Sequence, residues 1–326
     1  MKKYNFAILS AGNIAGVMAG TIGKMAGEVT PYAIGARDIG RAKEMADKFG
    51  FEKSYGSYDE LVHDEKVDLV YVASPHSHHW EHVKLCLNNG KHVLCEKAFT
   101  ANAKQAEEIV ALAKEKNLFL GEAVWTRFMP WVPKVKALLA QGEIGEVQAV
   151  QCGFGQPLTH VKRLADPALA GGALLDLGIY PLTFASLILG TDIQKYTGEA
   201  VLTDRGVDAQ NSITLIYKSG KMAFLSSSMT AWMPNTGVIC GSAGHIILHN
   251  FWMCQQITVC LRGKQPYDIS CPFEISGYEY EVRAALKAID EGRLYCDEMP
   301  WGESLRLMGI MDGLRDMWGV RYPFLS

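Results

Sequence analysis

The chain has 326 residues, which is more than one typical domain needs and enough for two. Hydrophobic residues make up 48% and charged residues 21%, and the formal net charge is -3, so the composition is that of a packed globular protein without the basic face that nucleic acids favour. We expect no membrane span and no signal peptide, because no apolar stretch approaches the length of a span and the N-terminus runs directly into a strand-like segment. The eight cysteines form no C-x-x-C pair, and we expect reduced, mostly buried thiols in a cytoplasmic protein.

The first part of the chain alternates predicted strands and helices. In chain order we predict a strand at residues 6–9, a helix from about 13, a strand at 30–35, a helix at 41–49, a strand at 67–73, a helix at 81–89, a strand at 92–95, a helix at 103–116 and a strand at 118–120. This order predicts an N-terminal Rossmann domain, residues 1–122, whose parallel sheet is covered on both faces.

The pattern then changes to longer, alternating strands. We predict helices at residues 131–140 and 174–189, strands at 212–217, 222–228, 238–241, 246–248 and 257–261, and closing helices at 278–291 and 303–317. In the strand at 212–217, Ile213, Leu215 and Tyr217 share one face. We therefore predict an α/β protein whose second domain, residues 123–326, is α+β with a large, mostly antiparallel, open-faced sheet, and we expect the last helix to pack back on the first domain.

The turn after the first strand resembles a dinucleotide-binding turn. Gly12 would let the backbone approach a pyrophosphate, and Asn13, Ile14 and Ala15 would open a helix whose N–H groups face it. The match is partial, because a glycine normally stands at the position of Ser10. An ordinary strand-to-helix turn is the alternative.

The end of the second predicted strand bears on cofactor choice. Arg37 is placed for the 2′-phosphate of NADP, and Arg41 follows four residues later; guanidinium groups suit phosphate by charge and geometry. Asp38 could instead hold the ribose of NAD, and both arginines could simply be surface residues. We favour NADP, with NAD possible.

Three segments carry a family resemblance: Ser-Pro-His-Ser-His-His at residues 74–79, Gly-Lys-His-Val-Leu-Cys-Glu-Lys at 90–97, and Gly-Gly-Ala-Leu-Leu-Asp-Leu-Gly-Ile-Tyr at 171–180. In order and spacing they resemble the glucose–fructose oxidoreductase and inositol dehydrogenase family over essentially the whole chain. One departure is Ala98, which stands where the family normally has proline.

Residues 36–44, 55–58, 95–97 and 122–128 further resemble the dimeric dihydrodiol dehydrogenase branch, which includes NADP-dependent D-xylose dehydrogenases. The resemblance implies NADP use, oxidation of vicinal diols or aldopyranoses, and a C-terminal sheet that serves as a dimer face. It also implies a set of residues that line the cofactor: Ser74, Pro75, His76, Glu96 and Lys97.

The expected chemistry is hydride transfer between NADP(H) and a carbinol or carbonyl carbon. Asp176 and Tyr180 are four residues apart and share a helix face. A tyrosine exchanges protons well only if its pKa of about 10 is lowered, and a nearby ammonium such as that of Lys97 does this. We assign Tyr180 as proton donor and acceptor, Lys97 as the group that tunes it, and Asp176 as the holder of a substrate hydroxyl. The alternative is a core tyrosine and a surface lysine.

Further residues have weaker assignments. His79 is expected beside the nicotinamide or substrate, or else as a helix-cap histidine. Trp125, Arg127 and Phe154 are candidate substrate contacts, although aromatics are routine in cores and Arg127 could bridge the domains. His78 and His82 have metal-ligand spacing but no evident third ligand, so we expect no metal.

The sequence thus predicts an NADP-dependent dehydrogenase or reductase acting on a cyclic polyol, aldose or trans-vicinal diol. Two alternatives remain: a sugar-modifying enzyme with a tightly bound, recycled NAD(P), and a non-catalytic cofactor-binding sensor. We expect a homodimer through the C-terminal sheet, because large side chains make a fully solvated face doubtful. These side chains are Phe224, Met229, Trp232 and Trp252.

Overall fold

The computed structural model describes residues 3–325 and divides the chain into two compact units. The first unit is the described chain up to Trp125 together with Glu274–Met308, and the second is Thr126–Phe273 together with the residues from Gly309 onward. The sequence placed the boundary after Glu122 and treated the second domain as continuous. In the structure, however, the internal segment Glu274–Met308 belongs to the first unit, so the second unit is not continuous in sequence.

Specific hydrogen bonds attach this returning segment to the first unit. The backbone N–H of Leu120 donates to the carbonyl of Leu294 (2.9 Å), and the indole N–H of Trp301 donates to the carbonyl of Leu120 (2.8 Å). Tyr4 Oη donates to Asp290 Oδ1 (2.8 Å). Both backbone polar groups of Leu120 are therefore satisfied by residues that lie far away in sequence.

A parallel sheet forms the core of the first unit, and its strand order is β3-β2-β1-β4-β5-β6. Its strands are β1 (Asn5–Leu9), β2 (Thr30–Gly35), β3 (Lys53–Tyr55), β4 (Leu69–Val72), β5 (His92–Glu96) and β6 (Leu120–Ala123). Its helices include α1 (Asn13–Lys24), α2 (Ile39–Phe49), α3 (Tyr58–His63), α4 (His76–Asn88) and α5 (Ala103–Lys116). This order is that of a dinucleotide-binding sheet and confirms the predicted Rossmann architecture.

Local sequence explains most of these elements. All four residues of β4 are buried, as expected for a strand covered on both faces. Side-chain caps begin three of the helices, supplied by Asp38, Ser57 and Asn102. β3 and α3 were not predicted, because both are too short to show a clear hydrophobic period.

The second unit is built on a larger sheet with strand order β14-β13-β12-β11-β7-β10-β9-β8. Its strands are β7 (Val147–Gly155), β8 (Ile193–Leu202), β9 (Asp208–Tyr217), β10 (Met222–Ser228), β11 (Gly237–Gly241), β12 (Gly244–Leu248), β13 (Gln256–Leu261) and β14 (Tyr267–Ser270). The remaining helices of the chain are α6 (Trp131–Ala140), α7 (Ile179–Leu189), α8 (Glu279–Asp290, in the first unit) and α9 (Trp301–Trp318, shared by both units). β7 and β10 pair in parallel, and the other neighbours pair antiparallel, so the predicted mostly antiparallel sheet is confirmed.

One face of this sheet is the core of the second unit. Ile213, Leu215 and Tyr217 are buried on the same side of β9, as predicted. α7 packs against β7, β10 and β11, and a Cβ at Gly237 would overlap the ring of Phe184 from α7. The glycine therefore allows helix and sheet to approach closely.

The sequence analysis found no apolar stretch that approaches the length of a membrane span, and this observation was wrong. Residues Pro167–Leu189 are long and apolar enough, by length and composition, to cross a membrane. In the structure this stretch is interrupted: it contains a 3₁₀ turn at Pro167–Leu169 and a π-helical turn at Leu174–Gly178 before α7 begins. Because 83% of its most apolar window is buried in the protein, its hydrophobicity serves the core of the second unit.

The cysteines agree with the prediction. All eight are free thiols; Cys240 and Cys260 are partly exposed and the others are buried. Burial raises the pKa of Cys86 to about 12, which keeps this thiol protonated and unreactive.

Candidate active site

The turn between β1 and α1 has the shape that a pyrophosphate requires. Gly12 is the N-cap of α1, and a Cβ there would meet nothing nearer than Ser10 Oγ at 3.9 Å. The first turn of α1 contains no acidic residue, so the positive end of the helix dipole is not offset locally. Ser10 has a φ of 109° and donates its N–H to the carbonyl of Gly35 (2.8 Å), which explains why a glycine usually stands at this position. The predicted segment Gly12 to Ala15 therefore fits a dinucleotide phosphate.

The three charged residues that follow β2, Arg37, Asp38 and Arg41, have different contacts. Asp38 Oδ1 accepts from the N–H groups of Gly40 (2.8 Å) and Arg41 (3.3 Å) and so caps α2. Arg41 Nη2 donates to the carbonyl of Ala11 (2.5 Å), which ties α2 to the phosphate-binding turn. Arg37 is exposed and lines a cleft of about 660 Å³. Arg37 is therefore the member of this trio that lines the cleft, whereas Arg41 is tied to the phosphate-binding turn.

The histidine cluster after β4 is an internal network of the first unit. His79 is fully buried, with Nδ1 2.9 Å from the carbonyl oxygen of Ala98 and Nε2 2.8 Å from that of Ser74. Burial lowers the pKa of His79 to about 4, although the carbonyl partners act in the opposite direction. His82 Nδ1 lies 2.9 Å from Ser74 Oγ. His79 thus joins the end of β4 to the segment after β5, a geometry that supports a bracing role rather than the predicted contact with nicotinamide or substrate.

The other predicted residues of this segment begin α4. Pro75 is its N-cap, and His76 is its first residue and is buried, with its ring 5.7 Å from that of His79. His78 and His82 stack with ring centroids 5.7 Å apart. Among residues 3–325, no group of three or more His, Cys, Asp or Glu side chains is arranged to hold a metal ion.

Glu96 and Lys97 stand at the end of β5. Tyr71 Oη donates to Glu96 Oε1, and the backbone N–H of Lys97 donates to Glu96 Oε2 (3.1 Å). Burial and the charge of Glu96 raise the pKa of Tyr71 well above its usual range. Glu96 therefore fixes the backbone from which the half-buried Lys97 extends. The peptide bond between Lys97 and Ala98 is cis.

Trp125 lies at the end of the first unit in a packed position. It is 4% exposed and stacks on Tyr278, with ring centroids 4.1 Å apart and an interplanar angle of 12°. One face of Trp125, a candidate substrate contact, is thus covered by another ring of the same unit. Arg127 follows in the 3₁₀ turn Trp125–Phe128 and is partly exposed.

In the second unit, Tyr180 is surrounded by aromatic rings. The ring of Phe154, on β7, meets it edge-on at 5.3 Å, and that of Trp252 lies 6.5 Å away. Phe154 and Trp252 stack on each other at 5.1 Å. Phe154 was predicted near substrate, whereas Trp252 was assigned only to the sheet surface, because nothing in the sequence links its loop to α7.

Asp176 lies on the turn before α7. This turn is π-helical, Leu174–Gly178, where the sequence predicted one continuous helix. Asp176 is buried, and its Oδ1 accepts from Arg163 Nη1 (3.0 Å). Arg163 was missed, because it lies in an irregular stretch of residues without a periodic pattern.

The structure therefore groups the predicted residues into two sets. The first unit holds the phosphate turn, Arg37, the histidine network and Lys97. The second unit holds Asp176, Tyr180 and Phe154. The first unit supplies a turn that fits a dinucleotide phosphate, and the second supplies a tyrosine among aromatic rings and, four residues before it, a buried carboxylate paired with Arg163.

Comparison with known proteins places both units in one family. Residues 4–123 match the oxidoreductase family with an NAD-binding Rossmann fold, and residues 132–247 match the GFO/IDH/MocA C-terminal domain. The chain is 36% identical over 299 residues to a trans-1,2-dihydrobenzene-1,2-diol dehydrogenase of Xenopus laevis, covering 89% of this chain and 90% of the relative. It is 34% identical over 325 residues to the protein of that name from Mus musculus, covering 98% of each.

Solved structures of other oxidoreductases have the same fold over nearly the whole chain. KijD10, a 3-ketoreductase from Actinomadura kijaniata in complex with NADP and TDP-benzene, superimposes with a TM-score of 0.87 at 27% identity, over 97% of this chain and 98% of that chain. A levoglucosan dehydrogenase in complex with NADH and L-sorbose shares the fold, with a TM-score of 0.84 at 18% identity, over 97% of this chain and 96% of that chain. This chain is therefore an NAD(P)-binding oxidoreductase of the GFO/IDH/MocA family, similar to the dihydrodiol dehydrogenases.

Proposed function

We propose that the protein is an NADP-dependent dehydrogenase or reductase that acts on a CH–OH group of a cyclic polyol, an aldose or a trans-vicinal diol. The observation that carries this proposal is the pairing of the aromatic rings around Tyr180 with the buried Asp176 on the preceding turn. Flat rings suit the face of a cyclic substrate, and a carboxylate suits its hydroxyl groups. The names of the diol dehydrogenase relatives support the same substrate class.

NADP, when bound, supplies the hydride acceptor or donor. On this chain, the turn at Gly12 would hold the pyrophosphate and Arg37 the 2′-phosphate, since Asp38 is used as a helix cap and Arg41 binds a backbone carbonyl. The NADP in the complex of KijD10 supports this preference.

Tyr180 gives a proton to, or takes it from, the substrate oxygen. Lys97 favours its phenolate form and orients the substrate, because an ammonium group lowers the pKa of a neighbouring phenol. Asp176, held by Arg163 at 3.0 Å, accepts a hydrogen bond from a second substrate hydroxyl.

We further propose a homodimer that forms through the open face of the C-terminal sheet. Phe224 on β10 is 43% exposed, and Trp232, in the loop between β10 and β11, is 79% exposed; large exposed apolar side chains of this kind suit a contact between subunits. The free thiols are consistent with a reducing compartment, and we propose the cytoplasm.

The central test is a double-mutant cycle on Tyr180 and Lys97. Tyr180→Phe keeps the ring packing and removes the hydroxyl, so kcat should fall by about 10²–10⁴-fold while cofactor affinity stays nearly unchanged. Lys97→Met should shift the basic limb of the pH–activity profile to higher pH, because the charge that lowers the pKa of the tyrosine is lost. The double variant should be much less than multiplicatively worse, because both side chains serve one proton transfer. The measurement is kcat and kcat/KM across pH, on the best substrate from a screen of aldoses, inositols and trans-diols with NADP and NAD in parallel.

Tyr217→Phe is the matched control. It removes a buried tyrosine hydroxyl from the same unit, on β9, and should leave kcat close to that of the wild type. If Tyr180→Phe behaves like this control, Tyr180 is a packing residue and the proposal for its role is wrong. Retention of NAD(P) through purification without net turnover would instead favour a recycled cofactor.

A further inference from the structure

Two contacts hold the turn formed by Gly171 and Gly172, here called the glycine turn. This turn precedes the segment that carries Asp176 and Tyr180. Tyr322 Oη donates to the carbonyl of Gly171 (2.9 Å), and Asp208 Oδ2 accepts from the backbone N–H of Leu174 (2.7 Å). The first contact is made at Gly171, the first of the two glycines, and the second at Leu174, the first residue of the π-helical turn. The start of the segment is therefore set by side chains that are remote in sequence.

Asp208 is the more unusual of the two partners. It is fully buried, and Oδ2 also accepts from Asn211 Nδ2 (2.9 Å), whereas Oδ1 has no hydrogen-bond partner within residues 3–325. Gly172 has a φ of 118°, and a Cβ there would overlap Asp208 Oδ1. The turn formed by Gly171 and Gly172 thus packs directly on this carboxylate.

The pKa of Asp208 is shifted toward neutrality by its burial. Burial raises its pKa to about 7, against the hydrogen bonds that the carboxylate accepts and the charge of Arg315, which act to lower it. Arg315 on α9 pairs with Asp312 (2.5 Å) and lies over the ring of Tyr322. β10 carries no titratable side chain, and the π-helical turn contributes Asp176.

We infer that Asp208 is a positioning residue, whose carboxylate form holds the glycine turn in the register that presents Asp176 and Tyr180 to substrate. A hydrogen bond from an N–H group to an ionised carboxylate is roughly twice as strong as one to a neutral acceptor. Protonation of Asp208 weakens its hold on Leu174, and the start of the segment becomes less ordered. Turnover then falls on the acid side of neutrality through a group that touches neither substrate nor cofactor.

Ionisation of Asp208, which favours turnover, lowers the free energy of unfolding. Because its folded-state pKa is raised above the unfolded value, its contribution to stability is fully present below about pH 4 and is lost as the pH rises through about 7. Activity and thermal stability should therefore change in opposite directions over this range. Opposite pH dependences of activity and thermal stability are not expected of a residue that only supports the fold.

The inference rests on the proposed role of Tyr180 for its effect on turnover, so the test includes a readout without turnover. Hydrogen–deuterium exchange at the Leu174 amide, corrected for the intrinsic pH dependence, should show protection that increases between about pH 5.5 and pH 8.5 in the wild type. In Asp208→Asn this change should be absent, kcat should fall by roughly 10-fold, the acid limb near pH 7 should vanish, and KM should change little.

Tyr322→Phe is the matched control, since it removes the hydrogen bond to Gly171 without removing a group that titrates near neutrality. It should lower kcat and keep the acid limb. Protection of Leu174 that does not change with pH in the wild type would overturn the inference, and this series stands even if Asp208→Asn does not fold. An acid limb that persists in Asp208→Asn would overturn it as well. If exchange responds as expected but no substrate is turned over, the proposed function fails and the positioning role stands.

Discussion

Single side chains near the strand ends show how burial decides between functional and structural roles. His79 has the position of a family histidine, but it is fully buried and both ring nitrogens lie within hydrogen-bonding distance of backbone carbonyls. Asp38 could have held a ribose, yet it caps α2. Arg37, next to it, is exposed beside the cleft. The same sequence motif therefore supplies one side chain that caps the helix and one, Arg37, that we propose for the cofactor.

Arg37→Ala should test this division. We expect NADP binding to weaken by about 1–3 kcal/mol, the scale of a lost charge-assisted contact, and NAD binding to change little. Lys84→Met is the control, because Lys84 lines the same cleft but lies over the ring of Trp80 at 4.0 Å. The measurement is the dissociation constant of each variant for both cofactors. Equal losses for NADP and NAD with Arg37→Ala would make Asp38 the better candidate for the ribose end.

At the scale of elements, the segment before α7 departs most from the predicted helix. A continuous helix over residues 174–189 would place Asp176 and Tyr180 on a regular face, whereas the structure has a π-helical turn up to Gly178. π-helical turns occur frequently at functional sites. Here the turn begins where Asp208 accepts from Leu174, so tertiary contacts and not helix propensity set its start.

Gly172→Ala tests the packing of this turn. The new methyl group would overlap Asp208 Oδ1 in addition to straining the backbone at a φ of 118°, so we expect a loss of about 2–5 kcal/mol in unfolding free energy together with reduced kcat. Gly206→Ala is the control, because Gly206 also has a positive φ, of 82°, but open space around its Cβ; it should cost only about 1–2 kcal/mol. The measurement is chemical denaturation of both variants. Equal losses would show that contact with Asp208 contributes nothing.

At the scale of the whole molecule, one face of the large sheet is covered by the chain itself. The other side of this unit exposes some large apolar side chains. α7 covers the inner face, and Met229, which the sequence assigned to a doubtful surface, is fully buried. Phe224 and Trp232 are exposed, and Trp252 packs beside Tyr180 instead. The case for a dimer through this sheet therefore depends on Phe224 and Trp232.

Phe224→Glu should disrupt the proposed dimer. A buried, unpaired carboxylate at an interface is costly, so the sedimentation-equilibrium mass at micromolar concentration should fall from twice the 35.9 kDa of one chain to that of a single chain. Met317→Glu places the same charge at an exposed apolar residue on α9 and should not alter the mass. A wild-type protein that sediments as a monomer would contradict the proposal.

The sequence by itself determined the elements with a strong period and the motifs that stand at their ends. The dinucleotide turn at Gly12, the alternation of Ile213, Leu215 and Tyr217, and the resemblance to the family all follow from local patterns, because hydrophobic periods and turn chemistry act over a few residues. The comparisons then confirmed the family and the predicted Rossmann and sheet architecture.

Only the tertiary structure decided the features that depend on contacts between distant segments. The return of Glu274–Met308 to the first unit, the pairing of Asp176 with Arg163 and the hold of Asp208 on Leu174 join residues without any shared local pattern. Burial, which removes a carboxylate or an imidazole from water, also depends on the completed fold and gives Asp208 and His79 their altered pKa values. Sequence patterns therefore indicated which residues carry chemistry, and packing decided which of them hold the others in place.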